Sequence, residues 1–271
     1  MANNSKRQPT IFLPHGGGPC FFMEWTWGPA DTWHKTQRFL EGLAGTLPAV
    51  PKALLVVSGH WEEPAFTASA AARPELIFDY SGFPEHTYKL TCPAPGEPEL
   101  AERVAGLLGA AGLPSGLSAD RGFDHGVFVP LKVAFPEAQI PVVTLSLASS
   151  LDPALHLAAG RALTPLRDEG VLIVGSGMSF HNLGGYFRPE TSERARAFDG
   201  WLTEAVESTV PERDAMLTDW GRAPFARYAH PREEHLIPLM VAAGAGGEAP
   251  GRQIFNDAPM GAAISAYRFD G

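Results

Sequence analysis

Four histidines close apolar runs that read as strand ends: His15 in IFLPHGGGP, His60 in ALLVVSGHW, His125 in RGFDHGVFVPL and His181 in VLIVGSGMSFH. A fifth, His235, stands in HPREEHLIPL, which reads as the start of a helix. Neutral imidazole is a ready ligand for iron and zinc, and it titrates near neutrality. Histidines gathered at one end of a sheet can therefore hold a metal, move protons, or both. Each alone has a plainer explanation, a ring bonded to a loop carbonyl. Five such positions together weaken that explanation.

His15 is followed by three glycines and Pro19. The GGGP turn lacks the lysine and hydroxyl of a phosphate loop and the spacing of a dinucleotide fingerprint, which leaves close approach of the backbone to a metal-bound ligand as its purpose. His60 ends a second buried strand ahead of Trp61 and Glu62, and histidines on neighbouring strands can converge on one ion. In HPREEHLIPL, Pro231 suits a first helical turn, and Leu236, Leu239, Met240 and Ala243 make a buried face. Glu234 and His235 are adjacent, about 100° apart around a helix, so one of them is expected to face an ion. Glu234 would complete a two-histidine, one-carboxylate site with open positions for substrate and O2; His235 would complete a three-histidine site. Glutamate near a helix N-terminus is also favourable on electrostatic grounds alone.

His125, preceded by Asp124, and His181, with Ser179 and Asn182 close by, then fall to acid/base work or to the surroundings of the ligands. A histidine is well matched to deprotonating a phenol or protonating a leaving oxygen. His34 and His156 are expected on solvent-facing helix positions, His230 in the turn before the last helix, and His86, beside Tyr88, against substrate.

The elements that must position these groups alternate. Short apolar runs at residues 11–14, 53–59, 65–71, 142–147 and 171–177 have the length and β-branching of buried strands. Helices are expected from residues 31, 97, 152 and 192, with Pro98 in a first turn, Gly112 as a stop, and Asp152 capping a helix that begins with Pro153. This predicts a single α/β domain with a mostly parallel central sheet flanked by helices, and an active site at the carboxyl ends of the strands. Residues 77–96, IFDYSGFPEHTYKLTCPAPG, break the rhythm and read as a long excursion over one side of the crevice. ISAYRFD at the end reads as an edge strand.

With 271 residues and 45% hydrophobic content, the chain can bury a large core. A net charge of -9 without clustered Lys or Arg argues against nucleic-acid binding. Two cysteines, Cys20 and Cys92, are too few for a disulfide framework and suit a reducing cytoplasm. The polar MANNSKRQPT has no signal-peptide character, and no run reaches the ~18 apolar residues of a membrane span. A cytoplasmic monomer or small homo-oligomer with a flexible segment at residues 1–8 and a catalytic domain at 9–271 is expected.

The segments PHGGGP, VVSGHWE, DYSGFPEHTYKLTCPAPG, RGFDHGVFVPL, VLIVGSGMSFHNL and HPREEHLIPL together resemble the class III extradiol ring-cleavage dioxygenases, in the single-chain 4,5-DOPA-dioxygenase-like branch of the LigB-type superfamily. The likeness runs in register from about residue 9 to the C-terminus. It implies Fe(II), or zinc in the purified protein, held by His15, His60 and His235, with Glu234 as the alternate third ligand. It further implies His181 as the catalytic histidine and His125 as the substrate-contacting one, acting on a catechol and O2 to give a ring-opened semialdehyde. Many relatives carry a serine after the first HG of this pattern, where this chain has Gly17 and Gly18, a difference that bears on the pocket floor. The same ligands would also serve a zinc-dependent hydrolase, and the same fold a metal-free binding protein.

Overall fold

Leu54 and Val56 of one apolar run pack into a hydrophobic cluster on one side of a sheet, and Leu55 and Val57 into a second cluster on the other. Side chains on a strand alternate faces, so a run with no polar member is what a strand covered on both sides requires. The computed structural model describes residues 7–271. Among them, one eight-stranded sheet is formed by β1 (Thr10–Pro14), β2 (Ala53–Glu63), β3 (Phe66–Ser69), β4 (Ser115–Ser118), β5 (Val142–Ala148), β6 (Val171–Gly177), β7 (Arg252–Asp257) and β8 (Ile264–Phe269). The spatial order is β4-β3-β5-β2-β6-β1-β8-β7. Its centre, β5-β2-β6-β1, is parallel, and β8 and β7 extend it antiparallel. The fold is a single-domain α/β sandwich of the expected kind.

The helices are α1 (His34–Leu43), α2 (Pro98–Ala110), α3 (His125–Ala134), α4 (Pro153–Leu163), α5 (Pro165–Asp168), α6 (Thr191–Glu207), α7 (Val210–Thr218), α8 (Ala226–Ala229) and α9 (Ile237–Ala245). The punctuation read from sequence operates as expected. Pro98 opens α2, Gly112 takes φ +76° just after it, and the Asp152 carboxylate accepts the Leu155 N–H at 2.7 Å at the start of α4. No helix of the described residues is long and apolar enough to cross a membrane.

Several expectations need correction. ISAYRFD is an interior strand, β8, and the edge belongs to the more polar β7, which carries little hydrophobic signal. His125 does not end a strand; it opens α3, whose Val, Phe and Pro content disguised a helix. Pro130 lies inside that helix, lacks the N–H that would bond the Gly126 carbonyl, and leaves that oxygen to the Ser176 hydroxyl instead. His156 is fully buried: Nε2 accepts the Ala148 N–H at 3.1 Å and Nδ1 donates to Asp152 O at 2.7 Å, while burial pushes its pKa down to about 4. Of the expected flexible segment, residues 1–6 lie outside the described residues. Arg7 pairs with Asp168 at 2.8 Å, and Gln8 is buried.

Candidate metal centre

Three segments bring imidazoles together at the carboxyl ends of the parallel strands. His15 follows β1, its N–H donating to Gly177 O at 3.1 Å. His60 lies within β2, where the pairing with β5 loses register between Val57 and Glu62; that break frees the chain to turn its side chain toward the crevice. His235 precedes α9, and its carbonyl accepts the Met178 N–H at 3.0 Å. Pro231–Glu233 forms a bent lead-in, and Glu234, His235 and Leu236 form the turn that runs into α9, with the Leu236 and Ile237 N–H groups both donating to Glu233 O at 2.8 and 3.0 Å. A Cβ on Gly177 would collide with the His235 carbonyl, so the HPREEH segment can lie this close to β6 only across a glycine.

Nε2 of His60 is 3.3 Å from Nε2 of His15 and 3.1 Å from Nε2 of His235. The opposite nitrogens face oxygens. His15 Nδ1 lies 2.8 Å from Gly16 O, His235 Nδ1 2.9 Å from Glu234 Oε1, and His60 Nδ1 3.5 Å from Asp79 Oδ2. With Nδ1–H donating outward, the three Nε2 lone pairs point at one another, which is repulsive unless a cation lies between them. Separations of 3.1 and 3.3 Å suit nitrogens about 2 Å from a common centre. The donor set thus fits a divalent metal such as iron or zinc, and the outward carboxylates are the orienting partners metal-bound histidines usually have. Burial, and then mutual repulsion among the histidines, hold His15, His60 and His235 well below the ordinary imidazole pKa, in the neutral form a metal needs.

His125 and His181 complete the cluster. His125 Nδ1 is 2.8 Å from Asp79 Oδ1, which also accepts the His125 backbone N–H at 3.0 Å. His181 Nδ1 is 3.2 Å from Glu234 Oε1. Glu234 thus faces the outer nitrogens of two histidines. Burial alone would raise the pKa of Asp79 and of Glu234, yet contacts with His125 and His181 respectively hold both below the usual carboxylate range. Behind the cluster, Asp124 accepts from Ser58 Oγ at 2.8 Å and from Arg121 at 2.6 Å. A Cβ on Gly126 would stand 2.8 Å from His60 Cδ2, so the start of α3 also approaches through a glycine.

All five histidines line one cavity of about 510 Å³. The excursion walls one side of it with Asp79, Tyr80, Ser81 and Phe83. His86 and Tyr88, expected against substrate, do not line it. His86 is exposed and bonds Phe22 O at 2.9 Å, while Tyr88 backs the wall, its ring 5.2 Å from that of Tyr80. The sequence reading missed Asp79, the tryptophans 25, 27 and 33, and Leu183 and Phe187, all of which line the cavity. Only the aromatic density of the segments around them signalled a wall.

The family model described as the catalytic LigB subunit of aromatic ring-opening dioxygenase matches residues 9–269. A 4,5-DOPA dioxygenase extradiol of Beta vulgaris is 37% identical over 277 residues, covering 99% of this chain and 99% of the relative. That of Portulaca grandiflora is 40% identical over 245 residues, covering 88% and 86%. The crystal structure of an uncharacterized protein from Escherichia coli K12 superposes with a TM-score of 0.78 at 30% identity, over 97% of this chain and 100% of the other. A five-histidine crevice at the carboxyl end of the sheet, and a family match running nearly the whole length of the chain, lead to one conclusion: this chain belongs to the LigB family of aromatic ring-opening dioxygenases.

Proposed function

We propose that the chain is an Fe(II)-dependent extradiol dioxygenase that opens the ring of a catechol with O2, placing both oxygen atoms in a semialdehyde acid. The observation that carries the reading is the convergence of Nε2 of His15, His60 and His235 at the base of an aromatic-lined cavity, with two further histidines beside it. These three are the proposed ligands. Glu234, the alternate, is assigned instead to orienting His235 and His181 through their Nδ1 atoms. When bound, the iron supplies a Lewis acid that acidifies the phenol and a route for electrons between ring and O2.

The residues of the chain do the rest. His181, with Nδ1–H directed at Glu234, keeps Nε2 as the nitrogen free to take a phenolic proton, and the carboxylate stabilises the imidazolium that results. His125, whose Nδ1–H is held by Asp79, has Nε2 facing the site; as the imidazolium, balanced by the Asp79 carboxylate, it donates from Nε2 to oxygen on the substrate as charge develops there. Tyr80, Phe83 and the tryptophans exclude water from the ring. Cys20 and Cys92 are free, buried thiols, which supports a cytoplasmic setting.

The test is anaerobic loading with Fe(II) followed by oxygen-electrode measurements on substituted catechols. Uptake of one O2 per catechol with a yellow ring-opened product is expected, and none from the zinc-loaded protein. Hydrolysis of an ester or amide by the zinc form, with no O2 uptake by the iron form, would refute the reading in favour of a hydrolase on the same ligands.

A further inference from the structure

The walls of the cavity differ in kind from its base. Above the histidines stand Trp25, Trp33 and Phe83, and the mouth is bordered by Trp27, Leu183 and Phe187. Those three are 49%, 74% and 61% exposed, and they make up half of the six exposed large hydrophobic side chains among the described residues. Scattered exposed apolar side chains need no explanation, but three around one opening form a patch of the kind that marks a binding surface. Phe187 holds φ +65°, an unfavourable conformation for an aromatic residue, while displaying its ring at this mouth. Trp27 continues the wall outward, its ring 5.0 Å from that of Trp25 and 5.4 Å from that of Phe83.

The charges are equally informative. No Lys or Arg of the described residues lines the cavity. Arg188, next to Phe187, is turned back onto Gly184 O at 2.6 Å. The carboxylates nearest the base are engaged by histidines, Asp79 by His125 and Glu234 by His181 and His235. A substrate carboxylate in this cavity would lose water without gaining a cation, and an ammonium would find no free carboxylate. Trp25 and Trp33 are buried and uncharged, so what they add to the wall is apolar ring surface.

We propose that the substrate is a catechol with an extended, uncharged, largely apolar substituent that lies along Trp25, Trp27 and Phe83 and emerges between Leu183 and Phe187. This specificity rests on the ring-cleavage reading of the site. It sets the chain apart from a catalyst for a catechol amino acid or a catechol carboxylic acid, either of which would bring a charge to an apolar wall.

The experiment compares 4-benzylcatechol, DOPA and 3,4-dihydroxyphenylpropionate in two ways. One is O2 uptake by the iron-loaded protein; the other is calorimetric binding to the zinc-loaded protein, where no turnover is needed. The benzyl compound is expected to lead both charged compounds by about tenfold or more in kcat/KM and in affinity. Leu183→Lys, at a site exposed enough to spare the fold, is expected to narrow the gap to the propionate. Equal or better binding of DOPA or the propionate by the wild-type protein overturns the proposal, even if every catechol is cleaved. A ratio that Leu183→Lys leaves unchanged overturns the placement of the substituent at the mouth. Preferential binding of the benzyl compound without O2 uptake from any catechol sustains the recognition proposal and defeats the ring-cleavage reading instead.

Discussion

The imidazole rings of His181 and His235 lie face to face, with centroids 3.4 Å apart and planes inclined by 19°. Two stacked imidazoles cannot both be charged without strong repulsion, so the pair divides its labour: one ring is held neutral by burial, the other is free to accept a proton. Glu234 Oε1, 2.9 Å from one Nδ1 and 3.2 Å from the other, holds the stack from its outer edge.

Glu234→Gln is therefore expected to weaken metal binding by about 10- to 100-fold, the usual effect of losing an orienting carboxylate, and to lower kcat through His181. A titration with Fe(II) under argon would measure the first. If Glu234 were itself a ligand, the variant would instead fail to hold stoichiometric metal at any practical concentration.

His181→Ala is expected to retain iron and to lose about 10²- to 10⁴-fold in kcat, the range for removal of a general acid/base group. Metal analysis alongside oxygen uptake checks both halves. Turnover near that of the wild-type protein would show that another group takes the proton.

The metal-free protein should lose stability as pH falls below neutrality. His15, His60 and His235 have pKa values depressed by burial, as do His156, at about 4, and His230, at about 3. Below the unfolded value near 6.5 the unfolded chain binds protons that the native one refuses, so each histidine removes up to about 1.4 kcal/mol per pH unit until its folded pKa is reached. Asp79 and Glu234 titrate low, so the stability they add is present above the carboxylate range and is lost only as pH falls through it. Urea unfolding of metal-free protein at pH 7.5, 6.5 and 5.5 should give a shallow first interval and a steeper second one; equal midpoints at all three would contradict the burial assigned to these rings.

Gly126→Ala places a methyl 2.8 Å from His60 Cδ2 and 2.9 Å from Ser58 Oγ. A well-packed interior cannot absorb that without displacing His60. Circular dichroism is expected to be unchanged while metal affinity drops, and an affinity equal to that of the wild-type protein would mean that α3 shifts more easily than its burial suggests.

The parallel strands and the histidines that follow them were legible in the sequence because each is a local signal: a run such as VLIVGSG needs no partner to be recognised as buried on both faces. What escaped depended on pairing at a distance. Asp79 has no local mark of its role, which exists only because residues 46 positions away bring His125 onto its oxygen. β8 looked like an edge until β7 was laid outside it. The α3 sequence favours a strand by propensity, and burial of nearly its whole surface overrode that preference. His86 and Tyr88 were read as substrate neighbours because they share the excursion with Tyr80, but a short helical turn over Glu85–Lys89 carries them away from the cavity.

His60 and His235, whose Nε2 atoms lie 3.1 Å apart, are separated by 175 residues of chain, and His15 lies a further 45 residues upstream of His60. No fragment that stops short of residue 235 contains all three converging nitrogens, so the proposed centre can form only after the segment that carries His235 has been made. A chain that stops before His235 would keep two of the three converging nitrogens and lose the ring that lies 3.1 Å from His60.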